Sequence, residues 1–189
     1  YISLSVLVVY ISAVGSKGCS EKIPMVARVS IVDYWGHTIL DTYVRPTHYV
    51  EDYSGHKTGL KLAHLENAPL FELVQLRVAE IIKGKVMIGH TLWTALSVLG
   101  LSHPALYTRD LALFWPLRKK LKSRSIIDLP TLVQLFMCRE VGMGYEDSLE
   151  LSRSSLDLFR CCEELFERII VEGAWPCNLP PSAYAQYFT

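Results

Sequence analysis

The sequence lacks an excess of charge of either sign, since 19 Lys and Arg residues balance 19 Asp and Glu residues. A domain that binds nucleic acid mainly through contacts with its phosphates is usually basic. The neutral balance therefore argues against phosphate binding as the main role. With 189 residues, of which 50% are hydrophobic and 20% charged, the chain is suited to one ordered domain with a full core.

Several motifs that carry chemistry are also missing. The five cysteines form no Cys-x-x-Cys pair and no zinc-type spacing with histidine, so the sequence predicts free thiols in a reducing, intracellular compartment and no metal site. There is no Gly-rich phosphate loop and no Gly-x-Ser-x-Gly elbow. The loop histidines are scattered, and His90, which follows a predicted strand, is interpreted as structural.

The first fifteen residues, YISLSVLVVYISAVG, carry no charge. A signal peptide needs a basic segment before its apolar core, and a membrane helix needs about 20 apolar residues, so no membrane association is expected. The β-branched residues in this run predict a buried strand. Because the chain starts inside the run and without Met, we expect it to be part of a longer protein.

Alternating apolar and polar residues predict two further strands over residues 25–46, giving an antiparallel meander. Helical spacing predicts helices within 70–84, 91–101, 128–140 and 146–173, with a short strand at 85–90. The runs 15–24 and 48–69 are predicted to be mainly loops. This order of elements indicates a mixed α/β sheet flanked by helices. We expect one domain over residues 1–172, and an irregular tail without helix over 173–189, packed on the domain or binding a partner.

Six stretches of the sequence carry a family likeness: ARVSIVDYWGHTILDTYVRP, VEDYSGHKTGL, LFELVQLRVAEIIKGKVMIGHTL, LSHPALYTRDL, DLPTLVQLF and SLDLFR. In this order they resemble the DEDDh 3′–5′ exonucleases, which are DnaQ-like enzymes with an RNase H-like fold. The likeness is greatest to the RNA exonuclease branch that includes the interferon-induced exonuclease. It extends from about residue 1 to residue 168 and implies the RNase H-like α/β fold.

The resemblance also implies a site of two metal ions held by four carboxylates, with a general-base histidine. The residues that stand at these five positions here are Ser5, Leu7, Ala95, Glu146 and Leu151. The carboxylates and the histidine are therefore all replaced, and the two leucines would fill the former metal pocket with apolar volume. This predicts a degenerate pseudo-exonuclease that is not an enzyme and that uses no metal and no cofactor.

An alternative is that the acids have moved. Sliding the last helix by one turn would bring Asp147 to the fourth carboxylate position, but the first strand would still have no acid. We interpret Glu146, Asp147 and Glu150 instead as the start of that helix, where negative charge is favourable. Two positions of the family's substrate contacts are also altered, since Ser54 and Val8 replace an arginine and a methionine.

The predicted function is that of a protein-interaction or scaffold module, within a larger protein linked to RNA or chromatin. A protein partner or a second copy would bind the apolar tail residues Trp175, Tyr184, Tyr187 and Phe188. A first alternative is RNA or other single-stranded nucleic-acid binding without cleavage, with contacts from Arg118, Lys119, Lys120, Lys122 and Arg124. A second is an active 3′–5′ exonuclease with relocated metal ligands. A nuclear location rests on family analogy alone.

Overall fold

The computed structural model describes the backbone of residues 1–14 and 20–188, and the side chains of residues 1–12 and 22–188. Its centre is a five-stranded sheet with the strand order β3-β2-β1-β4-β5. The strands are β1 (Ile2–Val14), β2 (Ser20–Asp33), β3 (Thr38–Tyr43), β4 (Met87–Gly89) and β5 (Thr108–Asp110). The first three pair antiparallel, whereas β4 is parallel to β1 and β5 is parallel to β4. The predicted meander and mixed sheet are confirmed.

Helices cover both faces of this sheet. They are α1 (Gly55–Thr58), α2 (Leu62–Leu65), α3 (Phe71–Ile82), α4 (Leu92–Leu99), α5 (Trp115–Lys120), α6 (Leu129–Met137) and α7 (Ser148–Val171), with 3₁₀ turns at Ala105–Tyr107 and Ser182–Tyr187. Buried residues of α3 and α4 pack against one face of β1 and β2. Buried residues of α5, α6 and α7 form a second apolar cluster with β4 on the opposite face. The result is a three-layer α/β domain.

Two helices beside the sheet begin where a carboxylate caps their first N–H groups. Asp147 precedes α7, and its carboxylate accepts hydrogen bonds from the N–H groups of Leu149 and Glu150. Asp110 at the end of β5 accepts hydrogen bonds from Thr91 and Leu92, where α4 begins. Complete burial raises the pKa of Asp110 to about 7. These carboxylates fix the orientation of two helices that border the candidate site.

One glycine is needed where β4 meets α4. A Cβ at Gly89 would lie 2.5 Å from Leu92 Cδ2 and 3.0 Å from the carbonyl oxygen of Leu4. The Leu92 atom ends a side chain that can move, whereas the Leu4 oxygen belongs to the backbone, so a side chain at position 89 would require β1 and β4 to shift by a few tenths of an ångström.

Three segments differ from the sequence predictions. The predicted loop at 15–24 lies partly outside the described residues, as does Cys19, and its residues 20–24 belong to β2. Residues 115–120 form α5, which the sequence did not predict. The tail contains a 3₁₀ turn, Ser182–Tyr187, where no helix was expected. None of the described helices combines the length and the apolarity needed to cross a bilayer.

Candidate functional site

The positions at which the resemblance implies catalytic groups converge in the fold. Ser5, Ala95, Glu146 and Leu151 all line one groove of about 480 Å³, which runs between β1, α4 and the start of α7. This cavity is called the groove below. The fifth position, Leu7, is 5% exposed and packs in an apolar cluster that Leu151 also contacts. The structure thus brings together residues that are far apart in the sequence.

The groove wall formed by α7 is joined to β1 through serines. Ser3 Oγ donates a hydrogen bond to the carbonyl oxygen of Ser152 at 2.7 Å, and Ser152 Oγ donates to that of Ser3 at 2.8 Å. Ser148 Oγ donates to the carbonyl oxygen of Ser5 at 3.1 Å. Small side chains allow the helix to lie close to the strand, and their hydroxyls are fully bonded. The spacing of β1 and α7 is therefore set by paired polar contacts rather than by bulky side chains.

One edge of the groove is closed by a two-point contact between Lys57 of α1 and Glu146. The Glu146 N–H donates a hydrogen bond to the carbonyl oxygen of Lys57 at 2.8 Å, and Lys57 Nζ lies 3.1 Å from Glu146 Oε1. Beside them, a Cβ on Gly59 would lie 3.0 Å from the Tyr145 ring. The segment that resembles the family's substrate loop is therefore held against the approach to α7.

The Asp147 carboxylate caps helix α7 and also forms an ion pair with Arg28. The guanidinium of Arg28 lies 2.6 Å from Asp147 Oδ2, and its Nε and second terminal nitrogen bond both oxygens of Asp41 at 2.9 and 2.8 Å. Hydrogen bonding to Arg28 holds the pKa of Asp41 below its usual value. Partial burial opposes ionisation of Asp147, but the Glu150 N–H and Arg28 together still lower its pKa. The interpretation of Asp147 as part of the helix start is confirmed.

His90 and Asp128 also line the groove. The Nε2–H of His90 donates to the carbonyl oxygen of Ile127 at 2.7 Å, and burial lowers the pKa of His90. Asp128 caps α6 by accepting a hydrogen bond from the Thr131 N–H at 2.8 Å. Both side chains therefore hold the segment that leads into α6.

The residues present do not fit the two metal ions that the resemblance implies. Leu7, Ala95 and Leu151 supply no donor atom, Ser5 supplies a neutral hydroxyl, and Glu146 is paired with Lys57. Among the described side chains, no three of His, Cys, Asp or Glu are grouped closely enough to hold a metal ion. Hard divalent ions need several oxygen ligands, so this donor set is insufficient.

The basic residues predicted to contact nucleic acid lie outside the groove. Arg118, Lys119 and Lys120 belong to α5, and Lys122 and Arg124 follow it. Lys119 Nζ lies 5.7 Å over the Trp115 ring, and Lys120 Nζ lies 5.0 Å over that of Phe136. None of the five lines the groove. They form a separate surface next to α6 and α7.

The apolar tail residues are half-buried against the domain itself. Tyr184 and Phe188 pack on a small cluster with Trp93, Ala112 and Leu113. Tyr187 and Phe188 also contact the cluster beneath α3 and α4. Tyr184 in addition lines the groove, so the tail contributes a wall of the site. Partner binding by these residues and by Trp175 stays a prediction.

The sequence reading missed several groove residues. Tyr10, Lys57, Thr94 and Asp128 line the groove, and none was proposed as a site residue. Lys57 stands in the stretch that resembles the substrate loop, so its position was a usable signal. No sequence signal pointed to Tyr10 or Asp128, because their position in the groove depends on how β1 and α6 pack.

Comparison with known proteins gives clear relatives. No family model matches the chain. RNA exonuclease 4 from Mycosarcoma maydis is 42% identical over 149 residues, covering 78% of this chain and 39% of that protein. RNA exonuclease 4 from Neurospora crassa is 38% identical over 143 residues, covering 76% of this chain and 35% of that protein. The chain therefore spans less than half the length of these two relatives.

A solved structure shares the fold. The pseudoubiquitin hydrolase–RNA exonuclease module of Pan2 from Saccharomyces cerevisiae superposes with a TM-score of 0.75 and 22% identity, covering 91% of this chain and 29% of that one. The same module in complex with AAUUAA RNA gives the same TM-score. The RNase H-like exonuclease fold predicted from the sequence is confirmed.

These relatives correct one prediction. The expectation that the chain is not an enzyme is wrong, because proteins 38% and 42% identical to it over most of its length are named RNA exonuclease 4. Their names also give no support to a scaffold role. That Ser5, Leu7, Ala95, Glu146 and Leu151 stand at the catalytic positions of the family stays a prediction, and four of them line the groove.

Proposed function

We propose, from the premise that this chain is a homologue of RNA exonucleases with a DEDDh-type exonuclease domain, that it acts on single-stranded RNA in the groove. Removal of nucleotides from the 3′ end is the proposed reaction. The relatives' names support the reaction class. The observation that carries the proposal is the convergence of Ser5, Ala95, Glu146 and Leu151 in one cavity.

The size and lining of the groove suit a nucleotide. A volume of about 480 Å³ is within the usual range of small-ligand pockets. Tyr10 and Tyr184 offer aromatic faces on which bases stack. The serine and threonine hydroxyls that line the groove are those of Ser5, Thr91, Thr94, Ser97 and Ser155. These neutral groups can form hydrogen bonds to the sugar and to the edge of the base. Binding of this kind does not require a net positive charge on the protein.

Lys57 and Glu146 are the residues proposed to serve the reacting phosphate. The Lys57 ammonium is the cation that lines the groove, and a phosphate oxygen would compete with Glu146 for it. Glu146 stands where the resemblance places the general-base histidine, and its carboxylate would accept a proton from the water that attacks phosphorus. The P–O bond to the preceding nucleotide breaks in the same step, and the leaving 3′ oxygen takes a proton from solvent water. Since the residues do not fit the family's metal ions, no step is assigned to a metal.

The test uses a 5′-fluorescein-labelled single-stranded RNA, with shortening followed on a gel and binding followed by anisotropy in the same samples. Wild-type protein should bind and shorten the RNA, and Glu146→Gln should slow shortening by about a hundredfold or more. Glu80→Gln on exposed α3 is the matched control and should behave as wild type.

Each result separates the parts of the proposal. Equal rates for wild type and Glu146→Gln would remove Glu146 from the reaction. Binding without shortening would contradict hydrolysis and leave RNA recognition. An RNA that neither binds nor shortens would contradict the proposed function as a whole.

A further inference from the structure

A second cavity lies between α5, α6 and α7. It has a volume of about 340 Å³ and is lined largely by apolar side chains. Its walls include Phe114, Leu117, Phe136, Leu158 and Leu165. This cavity is called the α5–α7 pocket below. A volume of this size accepts one large apolar side chain.

The α5–α7 pocket is separate from the groove. No residue lines both cavities. On α7, the groove uses Leu151 and Ser155, whereas the pocket uses residues from Leu158 to Arg168. At the rise of an α-helix, Leu151 and Leu165 are about 21 Å apart along the axis. Occupation of one cavity therefore leaves the other open.

Two cations line the α5–α7 pocket, and four more lie on or just after α5. Lys120 and Arg168 are exposed at its rim, while Glu164 is the one acid among its lining residues. The further cations on or just after α5 are Arg118, Lys119, Lys122 and Arg124. None of these six forms an ion pair with any residue that the structure describes. Cations therefore outnumber acids among the lining residues and along α5, on a chain whose net charge is zero.

Exposed apolar residues extend the pocket onto the surface. Trp115 is 38% exposed, Leu135 is 55% exposed and Leu165 is 36% exposed. Lys119 and Lys120 lie over the aromatic rings of Trp115 and Phe136. An apolar centre with a charged rim is the usual composition of a protein–protein contact. Here the charged residues of the rim are mainly positive.

We propose that the α5–α7 pocket is a docking site for an acidic segment of a partner protein. The segment would place one large apolar side chain in the pocket and its carboxylates against Lys120 and Arg168. Charge complementarity selects an acidic partner, and the apolar cavity selects a protein segment over RNA, whose phosphates would leave the cavity walls uncovered. This proposal does not depend on the function proposed for the groove.

The test measures binding of two fluorescein-labelled peptides by anisotropy at low salt. Both are short runs of aspartate, one with a central Phe and the other with a central Ala. The Phe peptide should bind about tenfold more tightly or better, because its ring leaves water on entering the pocket. Equal binding of the two peptides would overturn the proposal.

Protein variants locate the binding site. The charge reversal Lys120→Glu/Arg168→Glu should weaken binding of the Phe peptide by about tenfold or more, while Lys83→Glu at the end of α3 should not change it. Cys161→Phe, at an exposed residue that lines the pocket, should remove the preference for Phe without changing any charge. Circular dichroism and thermal unfolding establish that each variant is folded. A Phe preference that persists in Cys161→Phe would overturn the proposed site.

Binding of RNA to this surface is the alternative to binding of an acidic protein segment. Unlabelled single-stranded RNA should displace the Phe peptide only weakly, because it cannot fill the apolar cavity. If RNA binds the surface more tightly than the peptide does, and the Lys120→Glu/Arg168→Glu variant loses that binding, the surface belongs to nucleic acid and the proposal is wrong.

Discussion

Lys57 and Glu146 meet twice at the edge of the groove, through a backbone hydrogen bond of 2.8 Å and an ion pair of 3.1 Å. The first contact holds the chain of α1 against the approach to α7. The second neutralises a cation inside the groove. Glu146, which the resemblance places at the general-base position, is therefore also part of the contact at the edge of the groove.

This contact should contribute modestly to stability. Because the Lys57 side chain is 61% exposed, solvent screens the ion pair, and a double-mutant cycle with Lys57→Met and Glu146→Gln should give a coupling of about 0.2–1 kcal/mol in the free energy of unfolding. Urea unfolding measures this coupling energy, and the coupling energy should fall as the salt concentration is raised. A coupling that does not change with salt would contradict an ion pair.

Tyr10 should contribute to RNA affinity. If a base stacks on its ring in the groove, Tyr10→Leu should weaken RNA binding by about 1–3 kcal/mol. Tyr49→Leu is a matched control, since Tyr49 is 89% exposed and does not line the groove. Anisotropy titrations measure both variants. Equal affinities for the two would show that the base does not lie at Tyr10.

Divalent metal ions should have little effect on this domain. A ligand that binds only the folded state raises the melting temperature, so the insufficient donor set predicts no shift with millimolar MgCl₂ or MnCl₂. Any RNA shortening should likewise persist in EDTA. A metal-dependent rise in melting temperature, or shortening that EDTA abolishes, would show that carboxylates gather when metal is present.

Introducing a carboxylate at Leu7 should destabilise the fold. Leu7 is 5% exposed in an apolar cluster, so Leu7→Glu buries an unpaired acid and should lower the free energy of unfolding by several kcal/mol. Leu7→Met keeps the volume and should cost less than about 1.5 kcal/mol. Denaturant unfolding near neutral pH compares them. Similar stabilities would mean that this part of the core is open to water.

The Arg28–Asp41 pair predicts a specific acid dependence. Arg28 holds the pKa of Asp41 below its usual value, so this stabilisation is complete above the unfolded pKa of about 3.9 and is lost as pH falls through the lower folded pKa. Near neutral pH, Asp41→Asn should lower the free energy of unfolding by about 0.5–1.5 kcal/mol, because solvent screens the pair at this exposed residue. Urea unfolding across the acid range should show wild type and variant converging. A difference that is constant with pH would contradict the linkage.

Local pattern predicted most of the secondary structure. The meander, the helices from α3 to α7 other than α5, and the short β4 follow from hydrophobic periodicity and from Pro and Gly positions. α5 was missed because the basic run after Trp115 has no apolar period. The start of β2 was read as a polar loop, since its pairing with β1 is decided by the partner strand and not by its own residues.

The candidate site was predictable only in part. A resemblance in sequence order located the five substituted positions, and four of them do line one groove. It could not show that Lys57 reaches Glu146, or that Tyr184 of the tail forms a groove wall. Contacts between residues so far apart depend on how whole helices and strands pack, which no local pattern contains. The conclusion that the chain is not an enzyme treated those five positions alone, and the named relatives overturned it.

The sequence by itself determined the order of most elements and the faces that they bury, because these follow from residue type and spacing. The resemblance to the exonucleases added the prediction that Leu7, Ala95 and Leu151 stand where donor atoms would be. Only the tertiary structure decided which side chains share a cavity, and that two cations line a largely apolar pocket beside α5. The physical reason is that burial and pairing are properties of several segments at once, so they arise when the sheet and its two helical layers close.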